Sequence, residues 1–190
     1  MAPREQSATK DSEPILLLDA CTVINLYACR HMPPILESMG RPAGIVLRVH
    51  QEALYIRRGG SGEDAREHEA VDLSEMLANR LLSLISPTED ELLAFIDLTL
   101  ELGDGEAMTV AVALHRGYAV VTDDRIAIRV IAGRVPVYSS LEVIKGWIDR
   151  EHLSPAAITA VLVDLRQRGT YLPGRSHPLR SWWDQYMAQE

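Results

Sequence analysis

Six carboxylates stand in this chain where their type and spacing could support chemistry. Asp19 ends the apolar run Ile15-Leu16-Leu17-Leu18, and Asp123-Asp124 follow a second such run, Tyr118 to Val121. Asp104 and Glu106 flank Gly105 at the start of a helical pattern. Glu52 falls on the stripe of Ile45, Val49 and Ile56, three residues after Val49 and four before Ile56. Carboxylates brought together repel, and they hold their protons to higher pH unless a cation neutralises them. Oxygen donors without a His or Cys cluster select a hard divalent ion, Mg²⁺ or Mn²⁺, over Zn²⁺. Such an ion polarises a phosphate, lowers the pKa of bound water and stabilises a leaving oxygen, so the chemistry expected is phosphoryl chemistry.

Each position also has an ordinary structural use. Asp104 is placed to cap a helix, Glu106 suits the positive end of a helix dipole, and Asp123-Asp124 suits a turn. Glu52 suits a boundary position that reaches solvent. Asp19 is the hardest to explain in this way, because burying an unpaired carboxylate at the end of an apolar strand costs several kcal/mol. Other motifs are incomplete. His50-Gln51-Glu52 has the deaminase form, but no Pro-Cys-x-x-Cys follows it. Cys21 and Cys29 lack zinc-site spacing and read as core residues. Gly103-x-Gly105 lacks the third glycine of a dinucleotide fingerprint, and there is no Walker loop or nucleophile elbow.

The elements that must position these acids alternate. Ile15 to Leu18 reads as a strand covered on both faces, followed by a helix carrying Val23, Leu26 and Tyr27 that His31, Pro33 and Pro34 interrupt. The spacing predicts a second helix from Ile45 to Arg58, ended by a mobile loop at Gly59, Gly60 and Gly62. Residues 63–80 show polar helical spacing, and Leu81 to Ile85 is a strand. Thr88 with Glu91 and Ser139 with Glu142 are capping boxes. Between them, Ala107, Val110, Ala111 and Leu114 form an apolar helical stripe. Val135 to Tyr138 is a further strand, and Ser154-Pro155 opens a helix. This alternation predicts a parallel sheet with helices on both faces, whose ligand site lies beyond the carboxyl ends of the strands. Residues 1–13 read as a flexible tail, 14–150 as the main domain and 151–190 as a helical extension packed on it. That extension holds Tyr171, Trp182, Trp183 and Tyr186, four of the chain's ten aromatic residues. Such clustering fits either an interface or a helix over its own core.

With 190 residues, 47% of them hydrophobic, the chain can bury a core without disulfides or a structural metal. Its apolar runs are too short to cross a bilayer. No leader-like segment opens it and only two cysteines are present, so a cytoplasmic location is expected. A net charge of −8 excludes nucleic-acid binding by bulk attraction, so any such role must come from a local site.

The string Leu16-Leu17-Leu18-Asp19-Ala20-Cys21-Thr22-Val23-Ile24-Asn25-Leu26 resembles the opening of PIN-domain proteins. Leu102-Gly103-Asp104-Gly105-Glu106-Ala107, then an alanine-rich helix and Val120-Val121-Thr122-Asp123-Asp124-Arg125, resemble the second half of that pattern in order and spacing. The resemblance spans about Ile15 to Tyr138. A further segment, Ile158 to Tyr171 with Arg168-Gly169 at its helix end, is similar to the tail of PIN-like proteins found beside toxin–antitoxin systems.

The resemblance implies a three-layer α/β/α domain around a mostly parallel sheet. It also implies a metal-dependent ribonuclease, frequently a VapC-type toxin silenced by an antitoxin protein, and in this family often a homodimer. Asp19, Glu52, Glu106 and Asp124 match the four acidic positions, with Asp123 as a substitute for the last. Asp19, Glu106 and Asp124 would hold Mg²⁺ or Mn²⁺, and Glu52, with Asp104 or Asp123, would orient the metal's water. Cleavage of an RNA phosphodiester would leave a 5′-phosphate and a 3′-hydroxyl. Arg48, Arg57, Arg58, Arg125 and Arg129 are candidates for holding the RNA backbone. Cys21 stands where many members place Ser, Thr or Asn, which leaves Thr22 as the available substitute. Two alternatives remain at this point. A haloacid-dehalogenase-type phosphatase also opens on a strand-end Asp but expects a second Asp where Cys21 stands. A PIN-like protein that binds without catalysis would keep the fold and lose the metal.

Overall fold

The computed structural model of the protein describes residues 14–52, 54–58 and 67–188. The predicted tail 1–13 and the predicted loop at Gly59, Gly60 and Gly62 lie outside the described residues. Strand β1 (Leu16–Leu18) is three leucines buried on both faces, which only a central strand permits. It pairs in parallel with β2 (Ala43–Val46) on one side and β6 (Ala119–Val121) on the other. Strand β5 (Leu82–Ile85) adds to β2, and β7 (Val137–Tyr138) adds to β6, both in parallel. The order is β5-β2-β1-β6-β7. The chain therefore winds outward one way from β1 and later returns to wind the other way, so a topological switch point opens between β1 and β6.

Helices cover both faces of this sheet, giving a three-layer α/β/α fold. One layer packs α1 (Ala20–Ala28), α2 (Met32–Ser38), α8 (Ser140–Arg150) and α9 (Pro155–Arg168) together, with α10 (Arg180–Met187) against α9. The other joins α5 (Glu89–Leu98), α6 (Asp104–Arg116) and α7 (Arg125–Ile131), with the short α3 (Leu47–Gln51) against α6. A five-residue helix, α4 (Ser74–Ala78), packs on β5. The predicted capping boxes at Thr88 and Ser139 are formed, and Ser154 caps α9.

The helix expected from Ile45 to Arg58 is not formed. Ile45 belongs to β2, where it lies in register with Leu84, while Val49 sits in α3 and Ile56 in β3 (Tyr55–Arg57). Strand β3 pairs antiparallel with β4 (His68–Ala70), within the stretch expected to be helical from 63 to 80, as a two-stranded ribbon separate from the main sheet. Sheet pairing at both ends of the stripe overrides its helical spacing. The prolines after His31 do not merely interrupt: Pro33 and Pro34 occupy the first turn of α2, where their missing N–H groups have no helical partner to lose. In the C-terminal segment, Trp183 is buried and meets Tyr171 edge-on at 5.7 Å, so residues 151–188 share the core of the main domain.

Candidate active site

Asp19 sits between the two strands that flank the switch point. Its N–H donates to the Val121 carbonyl at 3.2 Å, tying it to the end of β6. As the N-cap of α1, its Oδ1 accepts the Thr22 N–H at 2.7 Å, and its Oδ2 accepts the Cys21 thiol at 3.0 Å. The residue is 1% exposed. Burial pushes its carboxyl above the ordinary carboxylate range, against hydrogen bonds from Thr122, Cys21 and Thr22 that favour the anion. Asp124, beyond β6, caps α7 in the same manner, with Oδ1 accepting the N–H groups of Ile126 at 2.8 Å and Ala127 at 2.7 Å.

The other two acids come from the layer of α3 and α6. Glu106 lies in the first turn of α6, and its Oε2 accepts the Gly103 N–H at 3.3 Å. Burial raises its carboxyl, and the charges of Asp124, Asp19 and Glu52 raise it further. Glu52 is the C-cap of α3, and its carboxylate lies against the backbone of Gly105. A Cβ on Gly105 would overlap Glu52 Oε1 and crowd Val49 Cγ2 at 3.2 Å, so any side chain there would displace the end of Glu52. Burial raises the Glu52 carboxyl, the Arg48 charge and a hydrogen bond from Gly105 oppose this, and Asp104 and Asp19 add to the rise.

Glu106 thus feels the charges of Asp124, Asp19 and Glu52, and Glu52 feels that of Asp19, although the four come from separate segments of the chain. Among the described residues, Lys and Arg form no ion pair with Asp19, Glu52, Glu106 or Asp124. Nor do any three His, Cys, Asp or Glu side chains among those residues stand close enough to form a ready metal cage. The donor set is oxygen alone, with Asp19 buried, the other three partly buried and no ion pair to Lys or Arg among the described residues, which fits a hard divalent cation drawing the carboxylates together.

No family model matches the chain, and no curated protein matches it. What the site can do rests on its own residues.

The two remaining predicted acids have other partners. Asp104 is the first residue of α6 rather than its cap, which is Gly103, and it is ion-paired with Arg48 at the surface. Asp123 accepts from Asn25 Nδ2 at 3.1 Å, the Ser140 N–H at 3.3 Å and the Tyr171 hydroxyl at 3.4 Å. It therefore joins α1, α8 and the C-terminal segment, a hub that the sequence reading missed. The predicted substitute for a hydroxyl at position 21 is also committed elsewhere: Thr22 Oγ1 donates to the Val121 carbonyl at 2.8 Å. Of the candidate arginines, Arg48, Arg58 and Arg129 are ion-paired to Asp104, Glu67 and Glu101. Arg125 lines a cavity of about 300 Å³ with Asp123, Tyr171 and His177, and Arg57 is exposed on β3.

Proposed function

We propose that this protein is a Mg²⁺- or Mn²⁺-dependent endoribonuclease of the PIN type, acting in the cytoplasm as the toxin of a toxin–antitoxin pair. The observation that carries the reading is that Asp19, Glu52, Glu106 and Asp124 come from four segments to the neighbourhood of the switch point, with the carboxyls of Asp19, Glu52 and Glu106 raised by burial and no ion pair to Lys or Arg among the described residues. Asp19, Glu106 and Asp124 are the residues that would hold the ion. When bound, the ion supplies positive charge for the phosphodiester oxygens and makes water more acidic.

The chain's own residues do the rest. The caps at Asp19 and Asp124 hold each carboxylate by backbone N–H groups, so neither has to be ordered when substrate binds. Glu52, held by Gly105 and partly open to solvent, is the proposed acceptor for the proton of the attacking water. Water adds to phosphorus, the bond to the 3′-oxygen breaks, and that oxygen leaves as a hydroxyl after taking a proton.

Asn caps a helix as well as Asp does, so Asp19→Asn and Asp124→Asn test the charge without removing the caps. Each variant is expected to lower Mn²⁺-dependent cleavage of single-stranded RNA by about 100-fold or more. Undiminished cleavage by both would refute the assignment.

Cys21 favours a second reading, in which the domain binds without catalysis. Its thiol, a weak donor, occupies Asp19 Oδ2, and burial together with the Asp19 charge pushes the thiol's pKa up, so it stays protonated. Calorimetric titration with Mn²⁺ separates the two: heat from a saturable site supports the nuclease, and its absence supports the binding protein.

A further inference from the structure

The ribbon of β3 and β4 lies against α1 through the buried Ile56 and turns its other face outward. On that outer face Tyr55 is 52% exposed, and Arg57 stands directly opposite His68 in the register of the two strands. Together they form one wall of a cavity of about 400 Å³, a size in the range of small-ligand pockets, about 300–1,000 Å³. The facing wall is Cys21 and Asn25 of α1 with Arg168 at the end of α9.

Three properties of this cavity stand out in a protein of net charge −8. Among the described residues its lining has two arginines and a histidine but no carboxylate. Arg57 and His68 form no ion pair among the described residues. Arg168 is only 5% exposed: its Nη1 donates to the Ala28 carbonyl and its Nη2 to Glu69, both at 3.3 Å, while its Nε–H has no acceptor among the described residues. Arg168 is charge-balanced by Glu69, so the unbalanced positive charge of the lining is that of Arg57. The inner end of the cavity is Cys21, which donates its thiol to Asp19, so the cationic cavity opens beside the acidic site.

We infer that this cavity is the subsite for a nucleotide of single-stranded RNA adjoining the bond to be cleaved, with its base on the Tyr55 ring and its phosphate held by Arg57 and His68. The inference rests on the ribonuclease reading for the identity of the ligand. An exposed aromatic ring beside cations is the combination that holds unpaired nucleotides, because every base has a face to stack and every nucleotide carries a phosphate. The cavity also restores to an acidic protein the local attraction that its net charge denies it.

The test uses the full chain and a fluorescein-labelled single-stranded oligoribonucleotide of about ten nucleotides, followed by anisotropy at low salt in the Asp19→Asn background with chelator present, so that metal-dependent cutting does not interfere. Tyr55→Ala and Arg57→Ala are each expected to weaken binding about five- to tenfold. Tyr55→Phe keeps the ring and should keep the affinity. Arg57→Ala should also reduce the slope of log affinity against log salt by about 0.7, the contribution of one single-strand phosphate, which a merely structural role would not do. Both side chains are exposed, so the melting temperature should not change. Equal affinity in all variants, or no binding in any of them, would overturn the subsite. Failure of the ribonuclease reading shows separately, as wild-type protein that does not cut RNA in Mn²⁺ whether or not the ribbon binds it.

Discussion

Asp19 serves two roles that oppose each other when no cation is near. As a cap it stabilises α1 through the Thr22 N–H, an interaction of about 1 kcal/mol. As a buried anion it costs more than that, which is why burial raises its carboxyl. A carboxyl raised in the folded state binds a proton over a pH range in which the unfolded chain has already lost it. Folding then becomes more favourable as pH falls through that range, and the full penalty remains above it. Burial raises Glu52 and Glu106 as well, so all three add in the same direction. These three groups are therefore expected to add stability to the metal-free protein as pH is lowered from neutrality toward the ordinary carboxylate range of about 4. Asp19→Asn keeps the cap and removes the charge, so at neutral pH it should raise the stability of metal-free protein by about 1–3 kcal/mol. For a chain of this length that corresponds to about 2–12 °C in melting temperature, and it should flatten the pH dependence. Thermal melts in chelator across that range check it, and a variant that melts lower than wild type at neutral pH would show that the anion is already compensated.

The site is assembled where elements meet, and Gly105 marks the tightest of those junctions. α6 brings its first turn so close to the end of α3 that the Glu52 carboxylate occupies the space of a side chain at 105. Gly105→Ala should therefore push Glu52 aside and lower RNA cleavage about tenfold or more, despite alanine's better helix propensity of up to about 1 kcal/mol. In a Glu52→Ala background the carboxylate is gone and only Val49 Cγ2, 3.2 Å from the new Cβ, remains to give, so the same substitution should destabilise less than it does in wild type. A double-mutant cycle reads the coupling directly, and equal destabilisation in both backgrounds would mean that Glu52 does not lie against α6. This junction also shows what the sequence made legible. The buried strand before Asp19, the caps at Thr88 and Ser139 and the apolar stripe of α6 are written in neighbouring residues, and all were readable. Glu52 was found by a helical stripe that does not exist, because Ile45 is claimed by pairing with β5, and sheet pairing leaves no local trace. Asp123 was misjudged for the same reason. Its partners Asn25, Ser140 and Tyr171 stand 98, 17 and 48 residues away, and nothing near Asp123 announces them.

Across the whole molecule, the distribution of charge matters more than its total. A net charge of −8 spread evenly would repel RNA at every approach. Here four carboxylates are concentrated at the switch point, and a cavity lined by Arg57, Arg168 and His68 lies beside them. If two divalent ions neutralise the acidic locality, the formal charge falls in magnitude from −8 to −4, and the attraction of Arg57 in the neighbouring cavity is then less opposed. Metal-free wild type should bind single-stranded RNA weakly, and Mn²⁺ should strengthen binding even where cutting is blocked. Neutralising the acids by mutation should do what the ion does. Asp19→Asn combined with Glu106→Gln should therefore bind RNA several-fold more tightly than wild type in chelator, and Mn²⁺ should add little to it. The Debye length is about 8 Å at physiological salt and shortens as salt is raised, so the effect should shrink with it. Anisotropy titrations of both proteins with and without Mn²⁺ decide the matter. If the double variant binds no better than wild type in chelator, the acidic locality is not what holds RNA off, and the ion's role would have to lie in chemistry alone.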